Sequence, residues 1–160
     1  MPSNTLPDPI RRRTLRLVAA GIVAAAAVSR GRAALAARPH AVVYKSPACG
    51  CCGLWTTHLR QNGFGVRVIE LDEMITIKRQ ARVPANLESC HTAFIDSYVI
   101  EGHVPVAAIE KLLSDRPRVI GVAVPGMPAG APGMPSAQRE PFDSVAFAAD
   151  GLQTLFMRFS

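Results

Sequence analysis

The chain has 160 residues, enough for one domain with additions, and its apolar share of 49% is that of a folded globular protein. A net charge of +6 and a pI near 9.7 would ordinarily point to nucleic acid. Residues 1–36, however, hold six arginines and one aspartate, a charge of +5, and the remaining 12 Lys+Arg against 11 Asp+Glu leave only +1. With no basic stripe beyond the leader, the composition excludes nucleic acid as a partner.

Arg11, Arg12, Arg13 and Arg16 form a basic start, followed by an apolar run from Leu17 to Val28 and the small residues Ala34-Leu35-Ala36. That succession reads as an export signal with expected cleavage after Ala36, by the general secretory or the twin-arginine route. The run is shorter than the roughly 20 apolar residues a membrane span needs, so the mature form is expected to have no stable span. The expected organisation is a signal peptide over 1–36 and a single domain over 37–160, placed in the periplasm. Export implies an oxidising compartment, where thiols stay reduced only with a metal or a redox partner.

Ala41-Val42-Val43-Tyr44-Lys45 reads as a buried strand. A helix follows from about Cys51 to Gln61, with Trp55 and Leu59 on one face and Gly63 past its end. Val66 to Leu71 is a second strand. Asp72 is the expected N-cap of a helix from Glu73 to about Arg82, which Val83-Pro84 ends. Thr92 to Ile95 and Tyr98 to Glu101 are short strands joined by Asp96-Ser97. Pro105 opens a helix to about Ser114 with Val106, Ile109, Leu112 and Leu113 as its stripe. Beyond Val119 the pattern lapses into a Pro/Gly/Met loop from Pro125 to Pro135, and residues 142–148 and 152–159 form a terminal hairpin around Asp150-Gly151. Val42, Val68, Phe94, Ile109 and Leu113 are the expected core. The order β-α-β-α-β-β-α, with Cys-x-x-Cys at the first strand-to-helix junction, predicts an α/β, thioredoxin-like domain. A helix N-terminus at that junction favours thiolate over thiol.

Chemistry concentrates in Cys49-Gly50-Cys51-Cys52 and in the remaining cysteine, Cys90, followed by His91. Three thiols in four residues suit soft-metal binding or thiol redox work better than stapling disulfides. The Cys49–Cys52 spacing is that of a dithiol oxidoreductase, and Cys51 adds a third soft donor. Cys90 precedes the third strand, which in a thioredoxin-like fold passes close to the cysteine turn, and His91 would be a ligand or its supporting partner. Met127 and Met134, in a loop with no helix face to bury them, offer thioethers that suit Cu(I) but not zinc. His103 lies at a helix entry, a place for capping or the surface, and is a secondary ligand candidate. His40 and His58 receive no function.

Ser46-Pro47-Ala48-Cys49-Gly50-Cys51-Cys52, Ser89-Cys90-His91-Thr92-Ala93, Glu101-Gly102-His103-Val104-Pro105, Pro125-Gly126-Met127-Pro128 and Pro132-Gly133-Met134 occur in one chain. Together they resemble an exported metal-binding family long catalogued as a domain of unknown function, which includes the CopG-type copper-resistance proteins. The resemblance covers about residues 41 to 135 and leaves out the segment from Gln138 onward. It implies a thioredoxin-like fold, an envelope location, and copper bound through Cys49, Cys51, Cys52 and Cys90, with a redox role acting on copper suggested for the family. The expected function is thus a periplasmic protein holding one or more Cu(I) ions in a thiolate cluster for tolerance or delivery. Its partners would be copper ions and other envelope copper-handling proteins. Two rivals stand beside it: a thiol–disulfide or copper oxidoreductase using Cys49 and Cys52, and a structural zinc module, whose crowded first three ligands make a tetrahedron awkward. An iron–sulfur site fits the spacing less well still.

Overall fold

The computed structural model describes residues 39–160, so the expected leader lies outside the described residues. The elements are β1 (His40–Lys45), α1 (Gly50–Gln61), β2 (Gly65–Glu70), α2 (Ile75–Gln80), a 3-10 turn (Ala85–Leu87), β3 (His91–Ile95), β4 (Tyr98–Gly102), α3 (Val106–Asp115), β5 (Gly121–Val124), β6 (Phe142–Phe147) and β7 (Gln153–Phe159). They form an α/β protein with one seven-stranded sheet in the order β2-β1-β3-β4-β5-β6-β7. β1 runs parallel to β2 and antiparallel to β3, β4 is antiparallel to β3, and β5 is parallel to β4. No helix among the described residues is long and apolar enough to cross a membrane.

Side chains alternate across the strands, so the sheet carries two apolar layers. Ala41, Val43, Ala93, Ile95, Ile100, Val122 and Ala146 pack with Trp55 and Leu59 of α1 and with Ile109 and Leu112 of α3. On the other face Val99, Ala123 and Phe147 pack with Ala81, Val83 and Leu87. This corrects the expected core. Ile109 is fully buried, but Val42, Val68, Phe94 and Leu113 are only half-buried. Val43, not Val42, faces the α1 layer, a parity that a uniformly apolar strand does not reveal.

Trp55 and Leu59 lie one turn apart, as expected, and both are buried. Their helix ends at Asn62, and Gly63 takes the left-handed φ of 84° that follows a helix C-terminus. The second helix is shorter than expected. Met74, not Asp72, stands at its N-cap, with no side-chain cap bond.

β5 is the one strand the sequence reading missed. Gly121-Val122-Ala123-Val124 is short, wholly buried and without alternation, so it has no period to detect. Gly121 admits the close pairing, since a Cβ there would lie 1.9 Å from the Val99 carbonyl oxygen. The expected terminal hairpin is present as β6 and β7, and β6 pairs with β5, so the hairpin extends the main sheet.

Candidate metal centre

The sheet register assembles the centre. β1 pairs antiparallel to β3 with Lys45 opposite His91, so the turn after Lys45 runs beside Cys90. In the β3–β4 hairpin Thr92 faces Glu101, and continuing that register by two residues sets Cys90 against His103. The turn after β1, the entry to β3 and the exit from β4 therefore meet at one end of the sheet. The backbone N–H of Cys49 donates to the Ser46 carbonyl at 3.0 Å, which closes the turn and places Cys49 at the N-cap of α1.

All four cysteine sulfurs lie within 4.8 Å of one another. Cys49 and Cys52 are joined by a disulfide, while Cys51 and Cys90 are free and half-buried. Cys51 Sγ is 3.4 Å from Cys49 Sγ and 4.0 Å from Cys90 Sγ. Burial, followed by the neighbouring Cys51, pushes the Cys90 thiol up to about 11.

Two histidines complete the cluster. Cys90, His91 and His103 bring their ligand atoms within the same 4.8 Å of one another. His103 is buried, which overturns its expected place as a capping or surface residue. Its Nδ1 lies 2.7 Å from the Pro132 carbonyl oxygen, and an oxygen that can only accept requires Nδ1 to carry the proton. Nε2 of the neutral ring is then a lone pair, 3.0 Å from Cys90 Sγ. Burial lowers the pKa of His103 and holds the ring neutral.

His91 points to the α1 side of the sheet. Its ring sits 4.3 Å from the Trp55 ring and 5.1 Å from that of His103. Both of its nitrogens are buried without a hydrogen-bond partner. Burial drives its pKa well below the ordinary value, with His103 and Lys78 adding to the effect, so the ring is a neutral donor with a free lone pair.

The Pro/Gly/Met loop closes over the cluster at Gly133. There φ is +84°, and a Cβ would lie 2.7 Å from the Cys51 carbonyl oxygen and 2.8 Å from the Trp55 backbone nitrogen. Met134 lines a groove with Leu54, Thr57 and His58, and Met127 is 56% exposed. The Ser89 hydroxyl donates to the Gly126 carbonyl at 2.6 Å, tying this loop to the residue before Cys90.

Beneath Cys90, on the α2 side, lies a polar network that the sequence reading did not find. Lys78 Nζ donates to Glu101 Oε1 at 2.5 Å and to Thr92 Oγ1 at 3.2 Å. Thr92 Oγ1 donates to Glu101 Oε2 at 2.6 Å, and the Ser89 backbone N–H donates to Glu101 Oε1 at 2.7 Å. Glu101 is fully buried, and burial raises its pKa against the opposing pull of Lys78. The available signal was an acid ending the apolar run Tyr98-Val99-Ile100-Glu101.

An α/β domain carrying four cysteines and two buried histidines at one end of its sheet belongs to the class of thiol-rich metal-binding proteins. A family model described as a protein of unknown function, DUF411, matches residues 87–134. A solved structure titled "Copper resistance protein copG- Form 2" is 36% identical, covers 77% of this chain and 99% of its own, and superposes with a TM-score of 0.73. Its companion, "Form 1", is 36% identical, covers 76% and 98%, and gives 0.72. The chain belongs to the CopG copper-resistance family. No curated protein matches it. The shared fraction is larger than residues 41 to 135, so the likeness extends beyond the stretch that the motifs mark.

Proposed function

We propose that the protein is exported to the periplasm and handles copper, holding Cu(I) on the thiolates of Cys49, Cys51, Cys52 and Cys90. The observation that carries this reading is the convergence of four sulfurs within 4.8 Å from two separate parts of the chain. Thiolates at that spacing can bridge more than one soft ion. His103 Nε2 and the unpartnered nitrogens of His91 supply neutral donors on the Cys90 side of the cluster. Met134 and the exposed Met127 would serve as weaker thioether donors during entry or release. The titles of the two similar structures, both copper-resistance proteins, support copper over other soft metals. Export rests on the leader, whose processing would leave residues 37–160 as the mature domain. Metal binding by Cys49 and Cys52 first requires two-electron reduction of their disulfide.

A second reading is favoured by that same disulfide. Strand order β2-β1-β3-β4, with Cys49-x-x-Cys52 at the N-terminus of α1, supports a thioredoxin-like core with dithiol redox activity. The structural-zinc reading has less support, because the first three sulfurs come from one turn.

Competition of the reduced protein between a calibrated Cu(I) chelator and zinc tests the proposal. Copper should displace zinc, and Cys51→Ser or Cys90→Ser should abolish or sharply reduce copper loading. Full loading in both variants, with dithiol exchange that needs only Cys49 and Cys52, would transfer the function to the oxidoreductase reading.

A further inference from the structure

The four sulfurs form a connected path as well as a cluster. The disulfide joins Cys49 to Cys52, the Cys51 thiol touches the Cys49 end of that bond at 3.4 Å, and the Cys90 thiol lies 4.0 Å beyond Cys51. Reacting atoms held at about 3–3.5 Å are close to attack distance. Bringing Cys51 and Cys90 to bonding distance needs an approach of about 2 Å, within the reach of side-chain rotation. From this geometry we infer that the protein carries out internal disulfide transfer, moving the bond from Cys49–Cys52 to Cys51–Cys90 through Cys51.

The chemistry balances without an added oxidant or reductant. The Cys51 thiolate attacks Cys49 Sγ. A Cys49–Cys51 bond forms, the Cys49–Cys52 bond breaks, and Cys52 leaves as a thiolate that takes the proton Cys51 gave up. The Cys90 thiolate then attacks Cys51 Sγ. A Cys51–Cys90 bond forms, Cys49 leaves as a thiolate, and the proton lost by Cys90 ends on Cys49. Cys51 and Cys90 are oxidised by two electrons in total, and Cys49 and Cys52 are reduced by two.

The transfer changes what the protein presents. With the bond at Cys49–Cys52 the free thiols are Cys51 and Cys90, beside His103. With the bond at Cys51–Cys90 the Cys49-x-x-Cys52 dithiol is free, and the first turn of α1 is tied to the entry of β3. An oxidising equivalent received by the dithiol can thus be stored on the inner pair while the dithiol is regenerated. Cys51, the residue that departs from ordinary dithiol spacing, is the relay. None of this requires a metal, so it stands apart from the copper reading.

The test uses the metal-free full chain, reduced, oxidised with one equivalent of diamide, and freed of oxidant under nitrogen. Samples are acid-quenched over time, alkylated and digested with trypsin. Cys49, Cys51 and Cys52 share the peptide 46–60, while Cys90 lies in 83–111. The expected result is that an initial disulfide within 46–60 gives way to a cross-link between 46–60 and 83–111. Cys51→Ser should show at least about tenfold less cross-link at every time, because neither the Cys49–Cys51 intermediate nor the Cys51–Cys90 product can form without Cys51. Cys90 that stays fully alkylated in the wild-type chain would overturn the proposal. So would equal cross-linking in a Cys51→Ser chain, which would make Cys90 attack the first disulfide directly. The wild-type time course needs no substitution, so a variant that folds poorly leaves the test intact.

Discussion

His103 Nε2 lies 3.0 Å from Cys90 Sγ, while its Nδ1–H is committed to the Pro132 carbonyl. The carbonyl sets the tautomer, and the tautomer aims a lone pair into the cysteine cluster. His103→Ala should therefore lower Cu(I) affinity by about 10–100-fold, the usual effect of losing a ligand's orienting partner or a neutral donor. Chelator competition on the reduced protein measures it. Unchanged affinity would reduce His103 to a packing residue.

Lys78 and Glu101 form a buried pair that also holds the Ser89 N–H beside Cys90. Glu101→Gln leaves the ammonium without its countercharge and should destabilise the fold by about 3–5 kcal/mol in chemical denaturation. Combining it with Lys78→Met should recover much of that loss, because no charge is then left unpaired. Additive losses in the double variant would show that the pair is not the relevant unit.

Gly121→Ala should cost at least about 1–3 kcal/mol, since the new methyl meets the Val99 carbonyl at the β4–β5 junction. Gly133→Ala strains a left-handed position and pushes against α1 at Cys51 and Trp55. It should lower both the melting temperature and copper loading, whereas Gly121→Ala, placed in the sheet, should affect loading less at temperatures where the protein stays folded. Equal effects on loading would argue against a role for the loop in shaping the centre.

Met127 is exposed and touches no core cluster, so Met127→Leu should change stability by no more than about 0.5 kcal/mol. Its effect on copper affinity should be smaller than that of Cys51→Ser, because a thioether is a neutral and poorer donor. Thermal melts and chelator competition on both variants give the comparison.

Burial lowers the pKa of His58, whose Nε2 has no partner. The unfolded chain then binds a proton more readily than the folded one. The stability His58 contributes is present above its unfolded pKa of about 6.5 and declines as pH falls toward the depressed folded value. Denaturation of the metal-free protein at a series of pH values should show a shallower acid loss for His58→Gln than for the wild-type chain.

The sequence by itself determined the clustering of three of the four thiols and most of the elements. Cys49, Cys51 and Cys52 are neighbours in the chain, so their clustering follows from covalent connection. Trp55 and Leu59 share a helix face because they are four residues apart. Tertiary structure decided what lies far apart in sequence. Cys90 and His103 meet only because the β3–β4 register sets them opposite each other. Lys78 reaches Glu101 only because α2 packs on that face of the sheet. β5 was hidden because a strand buried at every position is apolar throughout and has no period. The inward parity of β1 was hidden because its half-buried outer residues Val42 and Tyr44 are as apolar as its inner ones, so only its partners fix which side each residue takes.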